Sequence, residues 1–236
     1  MIKHEVLVMG ELQTNSYLVW EETSKEAVII DAADDGVMVS EEVEKRGLKL
    51  KYILATHGHF DHNLGALDLK LIYNIPYCAS KKDLFLIKRQ KETAQHFLKM
   101  AIKAPNLEKV DIDLDKTKEI KLGNEILEII KTPGHTPGSV CFFNPPKSPS
   151  YPPLKKGGSK TTPIPFDKGD EKPILFSGDT LFKDCRGRTD FEYGSTENIF
   201  VSLRKLMKFP EDTVVMSGHG EETTIGREKP KYILKN

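Results

Sequence analysis

One heptapeptide constrains this chain more than any other feature: Thr56-His57-Gly58-His59-Phe60-Asp61-His62. Three imidazoles and a carboxylate crowd into six positions, straight after the apolar run 52–55, which reads as a buried strand. Such crowding is costly unless a cation gathers the side chains. In an extended strand exit alternate residues face one way, so His57 and His59 can approach one ion while Asp61 and His62, on the following turn, reach a second. The chain must therefore fold with a strand end open to a metal, and further ligands should come from other strand ends.

Those ends are present in order. Short β-branched or aromatic runs predict strands at 5–9, 16–20 and 27–31, then at 119–122, 126–131, 139–143, 173–177 and 213–216, with a Gly-Asn turn at 123–124. Helical spacing predicts helices at 37–46, stopped by Gly47, at 62–73, over a long amphipathic stretch 81–100, and at 198–207. His135 lies in Thr-Pro-Gly-His-Thr-Pro-Gly, Asp179 in Ser-Gly-Asp-Thr and His219 in Ser-Gly-His-Gly, each in a glycine-flanked turn. Five of the seven histidines then belong to one set, and His4 and His96 are read as structural.

Composition excludes several function classes. Lys plus Arg is 35 and Asp plus Glu is 35, so no global attraction to nucleic acid or to an anionic membrane surface is expected. No apolar run is long enough to span a bilayer, and the charged N-terminus does not read as a secretory signal, which makes the cytoplasm the default expectation. Cys78, Cys141 and Cys185 form no CxxC pair and are read as reduced, buried thiols. The 236 residues read as a single domain, 1–236, with a Pro-rich inserted loop at 144–173 that carries eight prolines and too few apolar residues to bury.

With five motifs in this order over nearly its whole length, the chain resembles the metallo-β-lactamase superfamily. The resemblance implies an α/β fold, an αββα four-layer sandwich with two mixed sheets flanked by helices, and a dinuclear site at one edge. It implies His57, His59 and His135 on a first metal, Asp61, His62 and His219 on a second, and Asp179 bridging both. Zinc suits these nitrogen and oxygen ligands, and so do iron and manganese. A metal-bridging hydroxide would be the nucleophile, with Asp61 as a catalytic residue orienting the water; two divalent ions, two aspartates and that hydroxide leave about one positive charge for an anionic transition state.

Departures within the superfamily narrow the reading. Dizinc lactamases carry a Cys where this chain has Asp179, so antibiotic hydrolysis is not expected as the native role. Asp179-Thr-Leu-Phe, the stretch Cys185-Arg186-Gly187-Arg188-Thr189-Asp190-Phe191 and the tail around His219 look like the glyoxalase II branch, in its short single-domain form. That resemblance implies hydrolysis of a small anionic thioester such as a hydroxyacylglutathione. Arg188 lies near the position where the branch places a basic residue facing substrate; contact with a substrate carboxylate and a salt bridge to Asp184 or Asp190 are both open. Full-length glyoxalase II has a helical C-terminal domain that helps bind glutathione, and only seventeen residues follow His219 here. The glutathione clamp is therefore expected to be absent or built differently. The alternative is a persulfide dioxygenase-like oxidoreductase with one iron on His57, His135 and Asp179, against which the intact set Asp61, His62 and His219 weighs.

Overall fold

The computed structural model describes residues 1–102, 105–146 and 172–233. Its first sheet takes six strands in chain order: β1 (Ile2–Met9), β2 (Thr14–Glu21), β3 (Glu26–Ile30), β4 (Lys49–Leu54), β5 (Tyr77–Ala79) and β6 (Ile112–Asp113). The second takes the next six, also in order: β7 (Glu119–Leu122), β8 (Glu125–Lys131), β9 (Val140–Asn144), β10 (Ile174–Gly178), β11 (Val214–Ser217) and β12 (Thr223–Thr224). Both sheets are mixed. β1 to β3 are antiparallel and β3 to β6 parallel, while β7 to β10 are antiparallel and β10 pairs parallel with β11.

A parallel neighbour requires a crossover, and helices supply it. α1 (Gly36–Lys45) joins β3 to β4, and α2 (Ala66–Tyr73) joins β4 to β5. α3 (Leu84–Ile87) and α4 (Gln90–Leu98) precede β6; α5 (Thr196–Leu206) leads to β11 and α6 (Ile225–Tyr232) follows β12. Asp35 caps α1 by accepting from Val37 N and Met38 N, and the helix gives way to Gly47 at φ +61°.

Burial divides the apolar residues into three layers. On β2, Tyr17 and Val19 point into a core between the sheets, where Phe142, Phe176 and Met216 meet them, whereas Leu18 points outward under α1 and α2 with Val39, Val43 and Leu69. Cys141, Phe143, Leu175 and Val215 pack outward under α5 and α6. Because both faces of each sheet are covered, strands such as 27–30 read as unbroken apolar runs rather than alternating ones. The result is the expected αββα sandwich.

Three expectations need correction. The stretch 81–100 is a 3₁₀ turn (Lys81–Asp83) followed by two helices, not one helix: Arg89 N closes on Leu86 O and Arg89 leaves helical geometry at φ −123°, while the apolar spacing carries on through the break. The stretch 62–73 begins as a 3₁₀ turn (Phe60–His62), and α2 starts only at Ala66. Cys78 and Cys141 are buried as expected, but Cys185 is exposed. Of the inserted loop 144–173, residues 147–171 lie outside the described residues; its described ends are paired, Asn144 opposite Ile174, so it joins adjacent antiparallel strands. No described helix is long and apolar enough to cross a membrane.

Candidate metal centre

One edge of the sandwich gathers the C-terminal ends of β3, β4, β10 and β11, the β8–β9 connection and the N-terminal end of β2. β4 ends at Leu54 and delivers residues 56–62; β10 delivers Asp179 and β11 delivers His219. Glycines permit the approach. A Cβ on Gly218 would meet Asp179 Oδ1 at 2.2 Å and His62 Cε1 at 2.8 Å, and one on Gly187 would meet the Asp179 carbonyl at 1.8 Å. The two sheets are tied here as well: Asn15 N donates to Gly218 O at 2.8 Å, and the Asn15 amide donates to Ser217 O and Gly220 O, each at 3.0 Å.

All seven side chains singled out as ligands meet at this edge. Their ligating atoms form three groups, His57/His59/His135, His57/His62/Asp179 and Asp61/His62/His219, each within 4.8 Å. Asp179 sits between the others: Oδ1 is 3.4 Å from His62 Nε2, while Oδ2 is 3.6 Å from His135 Nε2 and 3.8 Å from His219 Nε2. Asp61 Oδ2 lies 3.4 Å from His219 Nε2 and 3.6 Å from His62 Nε2.

Every imidazole turns one nitrogen inward and anchors the other outside. His57 Nδ1 meets Thr56 Oγ1 at 3.0 Å and His62 Nδ1 meets Asp31 Oδ2 at 2.8 Å. His135 Nδ1 reaches the Arg188 carbonyl at 2.8 Å and His219 Nδ1 the Leu12 carbonyl at 3.1 Å. His59 is reversed, with Nε2 on the Tyr193 hydroxyl at 2.9 Å and Nδ1 inward. Outer partners of this kind fix ring orientation and tautomer around a metal.

Two buried inner atoms, His62 Nε2 and Asp179 Oδ1, have no hydrogen-bond partner among the described residues. Orphaned buried polar atoms are costly, and a cation between them removes the cost. His59 Nδ1 lies 3.0 Å from both His57 Nε2 and His135 Nε2, somewhat closer than the about 3.3 Å between nitrogens sharing a tetrahedral zinc. The donor set therefore fits divalent metal with a small outward relaxation.

The charges agree. Burial, reinforced by neighbouring imidazoles, drives His57 well below its usual value, and burial with His135 brings His59 to about 3. His62 goes the other way: burial lowers it, but Asp179, Asp31 and Asp61 outweigh burial and lift it to about 10. Asp61 is held below its usual range, His62 and His219 overcoming the upward push of burial. Without a metal, the aspartates thus favour a proton on His62; a divalent ion held there would supply that positive charge instead.

Several residues that shape the centre went unread in the sequence. Asp31, at φ +57° and 1% exposed, accepts from Thr56 N and Thr56 Oγ1, both at 2.7 Å, besides holding His62. The Asn63 amide donates to His57 O at 2.9 Å and His59 O at 2.7 Å, curling the heptapeptide, and its own carbonyl accepts from Tyr77 at 2.6 Å. Buried Asp83 clamps two loops, taking Gly58 N at 2.9 Å, Thr136 Oγ1 at 2.6 Å and Gly138 N at 2.7 Å. Arg188 stands beside the cluster rather than in it. Its guanidinium pairs with both oxygens of Asp190 at 2.7 and 2.6 Å and lies 4.5 Å over the Phe191 ring. The other acid considered for it, Asp184, pairs with Arg227 and Lys231. Of the two remaining histidines, His4 packs edge-on against Phe176 and His96 against Phe97.

A four-layer sandwich with histidines and aspartates from several strand ends at one edge defines a class of metalloprotein. The family model of the metallo-beta-lactamase superfamily matches residues 9–148 and 168–219. The chain belongs to that superfamily, whose fold implies binding of divalent metal. It is similar to the hydroxyacylglutathione hydrolase GloC of Haemophilus influenzae, 33% identical over 95% of this chain and 94% of that protein. Among solved structures, the BLEG-1 B3 metallo-beta-lactamase is 28% identical with a TM-score of 0.77, covering 98% of this chain and 99% of that one. TTHA1623 in a di-iron-bound form is 29% identical with a TM-score of 0.72, covering 95% and 96%.

Proposed function

We propose that the protein hydrolyses a small anionic thioester, of the hydroxyacylglutathione kind, at a centre of two divalent ions. The observation that carries this reading is the complete double set of inward donors: His57, His59 and His135 for one ion, Asp61, His62 and His219 for the other, and Asp179 between them, with Oδ1 near His62 and Oδ2 near both His135 and His219. Similarity to GloC over nearly the whole chain supports the substrate class. Zinc is the first expectation for the metal; iron and manganese suit the same donors, and one relative is di-iron-bound. When bound, such ions lower the pKa of water and polarise a carbonyl.

The chain's own residues do the rest. Asp61, whose Oδ2 faces the interior, orients the attacking water. Arg188 receives a substrate carboxylate. Its present partner Asp190 is a surface acid, and the pair is 59% and 64% exposed, so exchanging one carboxylate for another costs little.

The test is anaerobic release of free thiol from lactoylglutathione, comparing chelator-stripped protein with zinc-, iron- and manganese-reloaded samples, with a β-lactam panel alongside. Metal-restored thiol release with little β-lactam turnover is expected. No release with any metal, together with persulfide-dependent oxygen consumption on one iron, would replace this reading with the dioxygenase.

A further inference from the structure

Four of the five imidazoles turn Nε2 inward and are anchored through Nδ1: His57 on Thr56, itself bonded to Asp31, His62 on Asp31, and His135 and His219 on the carbonyls of Arg188 and Leu12. His59 differs in two respects. It alone presents Nδ1 to the interior, and its anchor is a hydroxyl 134 residues away on the segment between β10 and α5, the segment whose Arg188 carbonyl holds His135. An Nδ1 lone pair can face a metal only if the ring proton sits on Nε2, and a buried N–H needs an acceptor. The Tyr193 oxygen, at 2.9 Å, is placed to be that acceptor.

Tyr193 is itself held in place. Its ring stacks on Phe191 with centroids 5.3 Å apart and planes 14° from parallel, and Phe85 meets it edge-on at 5.4 Å. Phe191 also touches the His59 ring at 5.2 Å and carries the Arg188 guanidinium above it. The hydroxyl thus reaches His59 from an aromatic stack and not from the sheet that bears the histidine.

We propose that Tyr193 is the positioning residue of the first metal site: by accepting the Nε2 proton of His59 it fixes the ring and the tautomer, and so sets how tightly the ion shared with His57 and His135 is held. This rests on the two-metal reading above. The second site has no such dependence, because the anchors of His62 and His219 are Asp31 and a main-chain carbonyl.

Tyr193→Phe keeps the stack and removes only the oxygen. Metal affinity of each site, read by chelator competition and by the visible spectrum of the cobalt-loaded protein, separates the possibilities. The first site is expected to weaken by about 10- to 100-fold, the range for losing an outer-shell partner, with the second unchanged. With the first site saturated, kcat should fall while KM stays the same. Phe85→Ala, which removes a ring contact but leaves the hydroxyl, should weaken the first site less. Parent-like affinity at both sites in Tyr193→Phe, or equal weakening of both with a lower melting temperature of the metal-free form, would overturn the inference. If the parent itself fails to bind two ions, the two-metal reading falls instead.

Discussion

The centre has two halves, built differently. The half from the first sheet is local, with His57, His59, Asp61 and His62 on one turn after β4, and its rings are set by side chains: Thr56, Asp31 and Tyr193. The half from the second sheet is dispersed, with His135, Asp179 and His219 on three separate connections, and its imidazoles are set by main-chain carbonyls. A tight cluster of ionisable groups needs buried polar partners to sort out its protons and orientations. Scattered ligands need the backbone to bring them close, which is why glycines flank them. Asp83, bonded to Gly58 on one side and to Thr136 and Gly138 on the other, joins the two halves.

The largest expected effect comes from removing the residue that serves both halves. Asp179→Ala should lower metal content at both sites and reduce turnover by about 1000-fold or more, since one carboxylate faces His62 on one side and His135 and His219 on the other. Metal analysis beside kcat checks this. Full metal content with near-normal turnover would mean that the halves do not meet through this residue.

The asymmetry also explains what could be read from sequence. The heptapeptide advertises itself because its residues are contiguous and costly together, and the three outlying ligands become readable once that cluster asks for partners at strand ends. The sandwich was legible too, because apolar runs between turn residues mark the longer strands. β5 and β6, with three and two residues, are too short to show any pattern, and the break inside 81–100 is hidden by apolar spacing that continues across it. The anchors are the least legible. Asp31, Asp83 and Tyr193 are ordinary polar residues in sequence, and their roles exist only through contacts 31, 25 to 55 and 134 positions away.

Asp31→Ala tests whether the first-sheet half depends on its buried anchor. It leaves Thr56 N, Thr56 Oγ1 and His62 Nδ1 without their acceptor in a fully buried place. The metal-free protein should lose about 3 kcal/mol of stability, measured by urea unfolding. Second-site metal affinity should fall by about 10- to 100-fold through His62. Unchanged stability would show that the cluster's geometry is carried by the backbone, as in the other half.

The smallest effect is expected at the other end of β2, where a buried carboxylate serves folding alone. Thr14 begins that strand beside Asp61, and Glu21 ends it about 23 Å away at 3.3 Å per residue. Glu21 accepts from Ser24 N at 2.7 Å and Thr23 N at 3.0 Å, and these backbone donors hold its pKa at about 2 against a usual 4.5. A carboxyl lowered in the folded state stabilises the protein above its unfolded value, and that stabilisation is lost as pH falls from about 4.5 through about 2. Glu21→Gln should therefore be slightly less stable than the parent at neutral pH, with the gap closing across that window in urea midpoints of the metal-free forms. Metal content and thiol release should be the same in both proteins. A drop in either would mean that the far turn reaches the centre along β2, and the separation between residues that fold the sandwich and residues that arm its edge would not hold.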